Sequence, residues 1–207
     1  MTLNDAFFTK KRDTLQMAHT EQDVCTVLSE KIISWIPFFP REYIILCIGT
    51  DRSTGDSLGP LTGTFLTEYK PKNVILYGTL HEPVHAKNLP TYIEKIHRYH
   101  PNPFIIAIDA CLGKHASIGS IIVGKGPIKP GAALKKTLPP IGDVHLTGVV
   151  NLGGFMEFSV LQNTRLSIVV EMARKLAVTL NNVDRALSAH NIVSTIIKNG
   201  PSKTHGV

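Results

Sequence analysis

Tyr43-Ile44-Ile45-Leu46-Cys47-Ile48 runs directly into Gly49-Thr50-Asp51-Arg52-Ser53-Thr54-Gly55-Asp56-Ser57-Leu58-Gly59-Pro60. A short apolar run rich in branched side chains, with no polar residue on either parity, is the pattern of a strand covered on both faces. Gly49 and the polar residues after it end the strand, and a helix is expected from about Ser57. Strand, polar loop and helix in immediate succession are the repeating unit of α/β proteins.

Working outward, the same alternation recurs. Asn73–Tyr77, Phe104–Asp109, Ile118–Val123 and Val144–Val150 read as further strands, and Leu89–Tyr99 as a helix. After Gly153-Gly154 a long helical tract places Leu166, Val169, Val170, Ala173, Ala177 and Leu180 on one face, and a last helix is expected over about Ser188–Lys198, stopped by Gly200-Pro201. Pro127–Pro140 reads as a loop. Upstream, residues 1–19 read as a weakly specified arm. Thr20-Glu21-Gln22-Asp23 has the form of a capping box before an amphipathic helix through Val24, Val27, Leu28, Ile32, Trp35 and Ile36, ended by Pro37 and Pro40. These elements predict a three-layer α/β sandwich around a mainly parallel sheet, organised as an arm and helix over 1–40, the main domain over 41–200 and a tail over 201–207.

Bulk properties narrow the function. Hydrophobic residues make up 43% of the 207 and charged residues 18%, enough for a large core and too apolar for a disordered chain. The net charge of +6 draws partly on Lys10, Lys11, Arg12, Lys198 and Lys203 near the ends, and no nucleic-acid module signature accompanies it, so no nucleic-acid partner is expected. Three isolated cysteines, Cys25, Cys47 and Cys111, suit a reducing compartment rather than a disulfide framework. No signal-like or bilayer-length apolar run is visible, so a cytoplasmic protein without a membrane partner is expected.

In parallel sheets ligands sit beyond the carboxyl ends of the strands, which ranks the polar residues. Asp51 and Asp56 lie in the loop after the first apolar strand, and Asp109 ends another. If those strands are neighbours, Asp109 and a loop aspartate face one cleft. Burial and mutual repulsion would then keep one proton on the pair, which can activate water on an amide carbonyl. Asp56 can equally be a helix cap, and Asp51 taken alone reads as an Asx-turn residue. His81, His85, His115 and His145 lie near strand ends or loops, so Asp56, Asp109 and a histidine such as His145 form an alternative divalent-metal set. Cys111 lacks an evident base and reads as a small buried residue. The loop is neither a Walker A nor a GxGxxG motif, and no Gly-x-Ser-x-Gly elbow occurs.

Gly49-Thr50-(x)4-Gly55-Asp56-Ser57-Leu58-Gly59 is similar to the Gly-Asn-(x)4-Asp-Glu-(x)2-Gly loop of hydrogenase maturation proteases. Ile108-Asp109-Ala110 with Ile118-Gly119-Ser120 resembles their second motif, and both aspartate motifs also resemble those of the bacterial spore germination protease. With Glu82-Pro83-Val84-His85-Ala86-Lys87-Asn88-Leu89 and Asn151-Leu152-Gly153-Gly154-Phe155-Met156-Glu157, the fuller pattern resembles the YyaC family of sporulation proteins, over roughly Glu42–Leu187. The resemblance implies a phosphorylase/hydrolase-like sandwich and peptidase ancestry, with Asp56 and Asp109 at the two metal-binding carboxylate positions of maturation proteases. Their third ligand, a histidine before a Gly-Phe, corresponds here to Asn151, so a metal would need His81 or His145 from elsewhere. The metal-free, aspartate-dependent germination protease is the better fit.

The expected function is therefore a sporulation-associated peptidase of the forespore or mother cell, acting on a protein or peptide substrate. Asp56 and Asp109 would activate water and Asp51 assist, while Ser53, Thr54, Gly55, His85 and Asn151 would bind substrate. A homodimer is compatible with the amphipathic N-terminal helix, which must pack on its own domain or on a second subunit. The rival reading is a non-catalytic module on the same fold that binds a peptide, small molecule or metal.

Overall fold

The computed structural model describes residues 14–39, 41–130 and 138–198, the last ten as helical backbone. Every residue of β2 (Tyr43–Cys47) is buried, as an all-apolar strand requires. Its alternate side chains serve two cores. Tyr43, Ile45 and Cys47 join one cluster with Leu58, Leu66 and Leu176, and Ile44, Leu46 and Ile48 join another with Leu89 and Ile96. Helices therefore cover both faces, and the molecule is a three-layer α/β sandwich.

Among the described residues the sheet has six strands. With β2 they are β1 (Thr14–Ala18), β3 (Val74–Tyr77), β4 (Phe104–Gly113), β5 (Ser120–Lys125) and β6 (Val144–Leu152), in the spatial order β1-β5-β6-β4-β2-β3. β3, β2, β4 and β6 are parallel, with Ile45 opposite Ile106 and Ile106 opposite Val144. β5 and β1 add antiparallel strands at one side. On the first face lie α1 (Val24–Ile33), α2 (Leu58–Glu68) and α5 (Leu166–Lys198), and on the second α3 (Leu89–Tyr99). A short α4 (Glu157–Gln162) follows β6.

Three expectations need correction. The end of the presumed arm, Thr14–Ala18, is the edge strand β1, held by Ser120–Gly124 opposite it and by His19, whose Nδ1 donates to the Gly119 carbonyl at 2.6 Å. Residues 1–13 lie outside the described residues. No capping box forms: α1 starts at Val24 with no side-chain cap, and Glu21 Oε1 instead accepts the Ala18 N–H at 2.7 Å. The helix expected at Ser188 is the continuation of α5, whose Val183 and Leu187 still pack into the core. Meanwhile Asp184 accepts the N–H groups of Lys72 and Asn73 at 3.1 and 2.7 Å, tying α5 to the turn before β3. Of the two placements open to α1, the structure shows it packed on its own domain: Val24, Leu28 and Ile32 are fully buried in the core that α5 shares.

The topology also makes a crevice. The connection leaving β2 passes to the α2 face, whereas that leaving β3 passes to the α3 face. Loops that part in this way leave a gap at the carboxyl edge of the sheet.

Candidate active site

Two close backbone approaches build the first wall. Gly49 has φ +150°, and a Cβ there would collide with the Asp56 carbonyl; a Cβ on Gly59 would collide with the Ile48 carbonyl. Only glycine lets the loop fold back over the strand end and α2 start against it. The Thr50 N–H donates to the Asp56 carbonyl at 3.1 Å and closes the loop, leaving Asp56 in a 3₁₀ turn over Gly55–Ser57. Neither that turn nor α2 has a side-chain cap, so Asp56 is not spent on capping.

Across the crevice, the Gly49 N–H donates to the Val84 carbonyl at 2.8 Å and draws in the segment before α3. Asn88 shapes that segment: its Oδ1 accepts the His85 N–H at 2.7 Å and its Nδ2 donates to the Pro83 carbonyl at 3.0 Å. Asp109 comes from β4, one residue beyond the pairing of Ile108 with Cys47, on the same parity as Ile105 and Ala107 and hence on the α3 side.

These elements enclose a cavity of about 450 Å³ lined in part by Asp56, Asp109, Ser53, His85, Arg52 and Lys87. Burial pushes the Asp109 carboxyl up to about 8; the Ala110 N–H, 2.9 Å from Oδ1, opposes this, and the charge of Asp56 adds to it. Asp109 keeps partial exposure where it faces the cavity, but protein atoms crowd it elsewhere, so desolvation dominates. Burial raises Asp56 too, against the neighbouring Ser53 hydroxyl. Ser53 Oγ is itself buried and makes no hydrogen bond of good geometry, so it stands beside the carboxylate as an unspent dipole. Two coupled acids, one holding its proton near neutrality, can take a proton from water and give one to a leaving group.

The structure thus gathers Asp56, Asp109, Ser53 and His85 in one cavity. The other sequence candidates do not line it. Asp51 is exposed, with the Thr50 hydroxyl 3.5 Å from its Oδ1. Thr54 offers its carbonyl to Ser57 Oγ at 2.7 Å. Gly55 is buried against α4, where a Cβ would come within 2.7 Å of Leu161 Cδ2. Asn151 braces α4, its Nδ2 donating to the Thr164 hydroxyl at 3.2 Å and to the Val160 carbonyl at 3.3 Å. His145 lies opposite Ala107, toward the other end of the strands, and its Nδ1 donates to the Gly126 carbonyl at 2.8 Å. Burial raises the Cys111 thiol, with Thr147 opposing and Asp109 adding, so a thiolate nucleophile is disfavoured.

A metal does not fit this donor set. Among the described residues no three His, Cys, Asp or Glu side chains are placed closely enough to hold a metal ion. In the cavity the two aspartates are accompanied by the cations Arg52 and Lys87, and His85 Nδ1 is taken by the Lys87 N–H at 3.2 Å. Lys87, Phe158 and Gln162 are wall residues that sequence reasoning did not single out. Lys87 stood only as one member of the Glu82–Leu89 motif, two residues after His85. Phe158 and Gln162 come from α4, which no strand-end rule would rank.

The family model described as a protein of unknown function (DUF1256) matches residues 14–179. The uncharacterized protein YyaC of Bacillus subtilis (strain 168) is 46% identical over 183 residues, 86% of this chain and 88% of that protein. A solved structure of the NiFe hydrogenase maturation protease HycI from Thermococcus kodakarensis KOD1 aligns with 77% of this chain and 94% of its own, at a TM-score of 0.46 and 20% identity. No described helix is long and apolar enough to cross a membrane.

Proposed function

This chain belongs to the DUF1256 family, and we propose that it is a peptidase whose paired aspartates, Asp56 and Asp109, activate water on a polypeptide substrate without a metal. One observation carries the reading: two carboxylates delivered by different strands share one cavity, and burial keeps Asp109 protonated near neutrality. Ionised Asp56 takes a proton from water as its oxygen attacks the scissile carbonyl carbon. Asp109 supplies the proton that the departing amine nitrogen needs when the carbon–nitrogen bond breaks. Water and amide become carboxylic acid and amine, and the pair ends with one proton, as it began. Asp51, outside the cavity, takes no part. The resemblance of the loop motifs to the spore germination protease supports the same chemistry, and the substrate we propose is a protein of the sporulating cell, in forespore or mother cell.

The test is incubation of the protein with spore-protein extract, with and without chelator, and mapping of new termini by mass spectrometry. Chelator-insensitive cleavage that disappears in Asp56→Asn and Asp109→Asn is expected. New termini that persist in both variants would overturn the mechanism. No cleavage by the unaltered chain would favour the rival reading, a binding module.

A further inference from the structure

The same cavity holds a second set of polar groups that proton transfer leaves unused. Arg52 follows β2 and Lys87 precedes α3, so the two cations reach the cavity from opposite sides of the crevice. Neither forms an ion pair among the described residues, where the two salt bridges found are His19–Glu171 and His100–Glu42. His85 stands with them. Because its Nδ1 accepts the backbone N–H of Lys87, the nitrogen that carries the ring hydrogen is Nε2, and the histidine offers the cavity a donor. Arg52, Lys87 and His85, whose side chains carry donor groups, thus line the cavity that the two acids share. Its other neighbours include Ile48, Pro130 and Phe158, which offer carbon rather than polar groups.

We propose that Arg52, Lys87 and His85 form a carboxylate subsite, so that the polypeptide preferred here carries a carboxylate next to the bond presented to Asp56 and Asp109. Arginine matches the two oxygens of a carboxylate in a fork, and lysine adds a point charge. Two cations that form no ion pair among the described residues are complementary to an anion. The apolar wall suits one attached to an organic chain rather than an inorganic ion. The carboxylate has two sources in a polypeptide, an Asp or Glu side chain or the chain's own C-terminus. The inference rests on the peptidase reading for the identity of its ligand, but binding can be measured without turnover.

Three dye-labelled octapeptides on one Ala/Ser framework separate these sources: a central Glu with an amidated end, a central Gln with a free C-terminus, and a central Gln with an amidated end. Fluorescence anisotropy is read on the full chain carrying Asp109→Asn, so that no peptide is consumed. The carboxylate-bearing peptides should bind roughly three- to tenfold more tightly than the neutral one, since the cations are solvent-exposed and their pairing is partly screened. The advantage should shrink with added salt and vanish in Arg52→Gln/Lys87→Gln, exposed positions where glutamine leaves the core untouched. Whichever carboxylate peptide binds better identifies the source, and equal binding assigns both. Equal binding of all three, no binding at millimolar peptide, or a preference that survives the double substitution overturns the subsite. Absence of cleavage in spore extract with the preference intact would remove the peptidase reading alone.

Discussion

The parallel and antiparallel halves of this sheet treat their polar residues in opposite ways. On β4, Asp109 extends just past the paired register of β2 and opens into a cavity with Asp56. On the antiparallel side, His19 and His145 are consumed by the fold: each donates Nδ1 to a backbone carbonyl, of Gly119 and of Gly126. Parallel strands need long crossovers, whose loops part at one edge and leave polar groups without local partners. Around β5, which pairs antiparallel with both β1 and β6, neighbouring backbone carbonyls meet these two histidines directly. A polar side chain is informative about function where the topology leaves it unspent.

That contrast can be broken in measurable ways. The largest effect is expected at Asp109→Asn, which should lower cleavage roughly 10²–10⁴-fold by removing the proton donor, read by quantitative mass spectrometry of product termini. An unchanged rate would place Asp109 with the structural residues. Next, Ile106→Ala on β4, fully buried beneath the site, should cost about 2–5 kcal/mol in urea unfolding through a lost side chain and a cavity. Smaller is the pH response of stability. The folded-state value of Asp109 lies above its unfolded one, so the native chain binds more protons between about pH 4 and its folded value of about 8. Stability from this group is complete below the unfolded value and is lost as pH rises through about 8. Asp109→Asn should therefore raise the melting temperature at pH 8 and hardly alter it at pH 4. Smallest, His145→Ala should cost about 1 kcal/mol for one hydrogen bond and leave cleavage unchanged. A loss of cleavage there would return His145 to the site.

Much of the carboxyl edge was legible in advance because its signals are local. An all-apolar strand running into a glycine-rich loop fixed the place of Asp56, and the parallel pairing expected of β2 and β4 brought Asp109 to it. β1 was not legible: Thr14–Ala18 is half exposed on a sheet edge and held by β5, from which it is separated by about half of the chain. The separate helix expected from Ser188 is part of α5, which runs on through Asn181 and Asn182 while burying Val183 and Leu187. Asn151 looked like a ligand position, but its amide is committed to α4, a contact that no motif encodes. Arg52 and Lys87 face one cavity only because two crossovers part to opposite faces, a consequence of topology rather than of spacing.

The central claim is that the two acids meet and retain one proton between them near neutral pH. Infrared titration of the protonated carboxyl stretch reads this directly in the unaltered chain and in Asp56→Asn and Asp109→Asn. The account predicts one carboxyl band persisting at pH 7, bleaching near pH 8 in the unaltered chain and absent in Asp109→Asn, with its midpoint lowered in Asp56→Asn, where the neighbouring charge is gone. Complete ionisation of every carboxyl below pH 5 in the unaltered chain would contradict it.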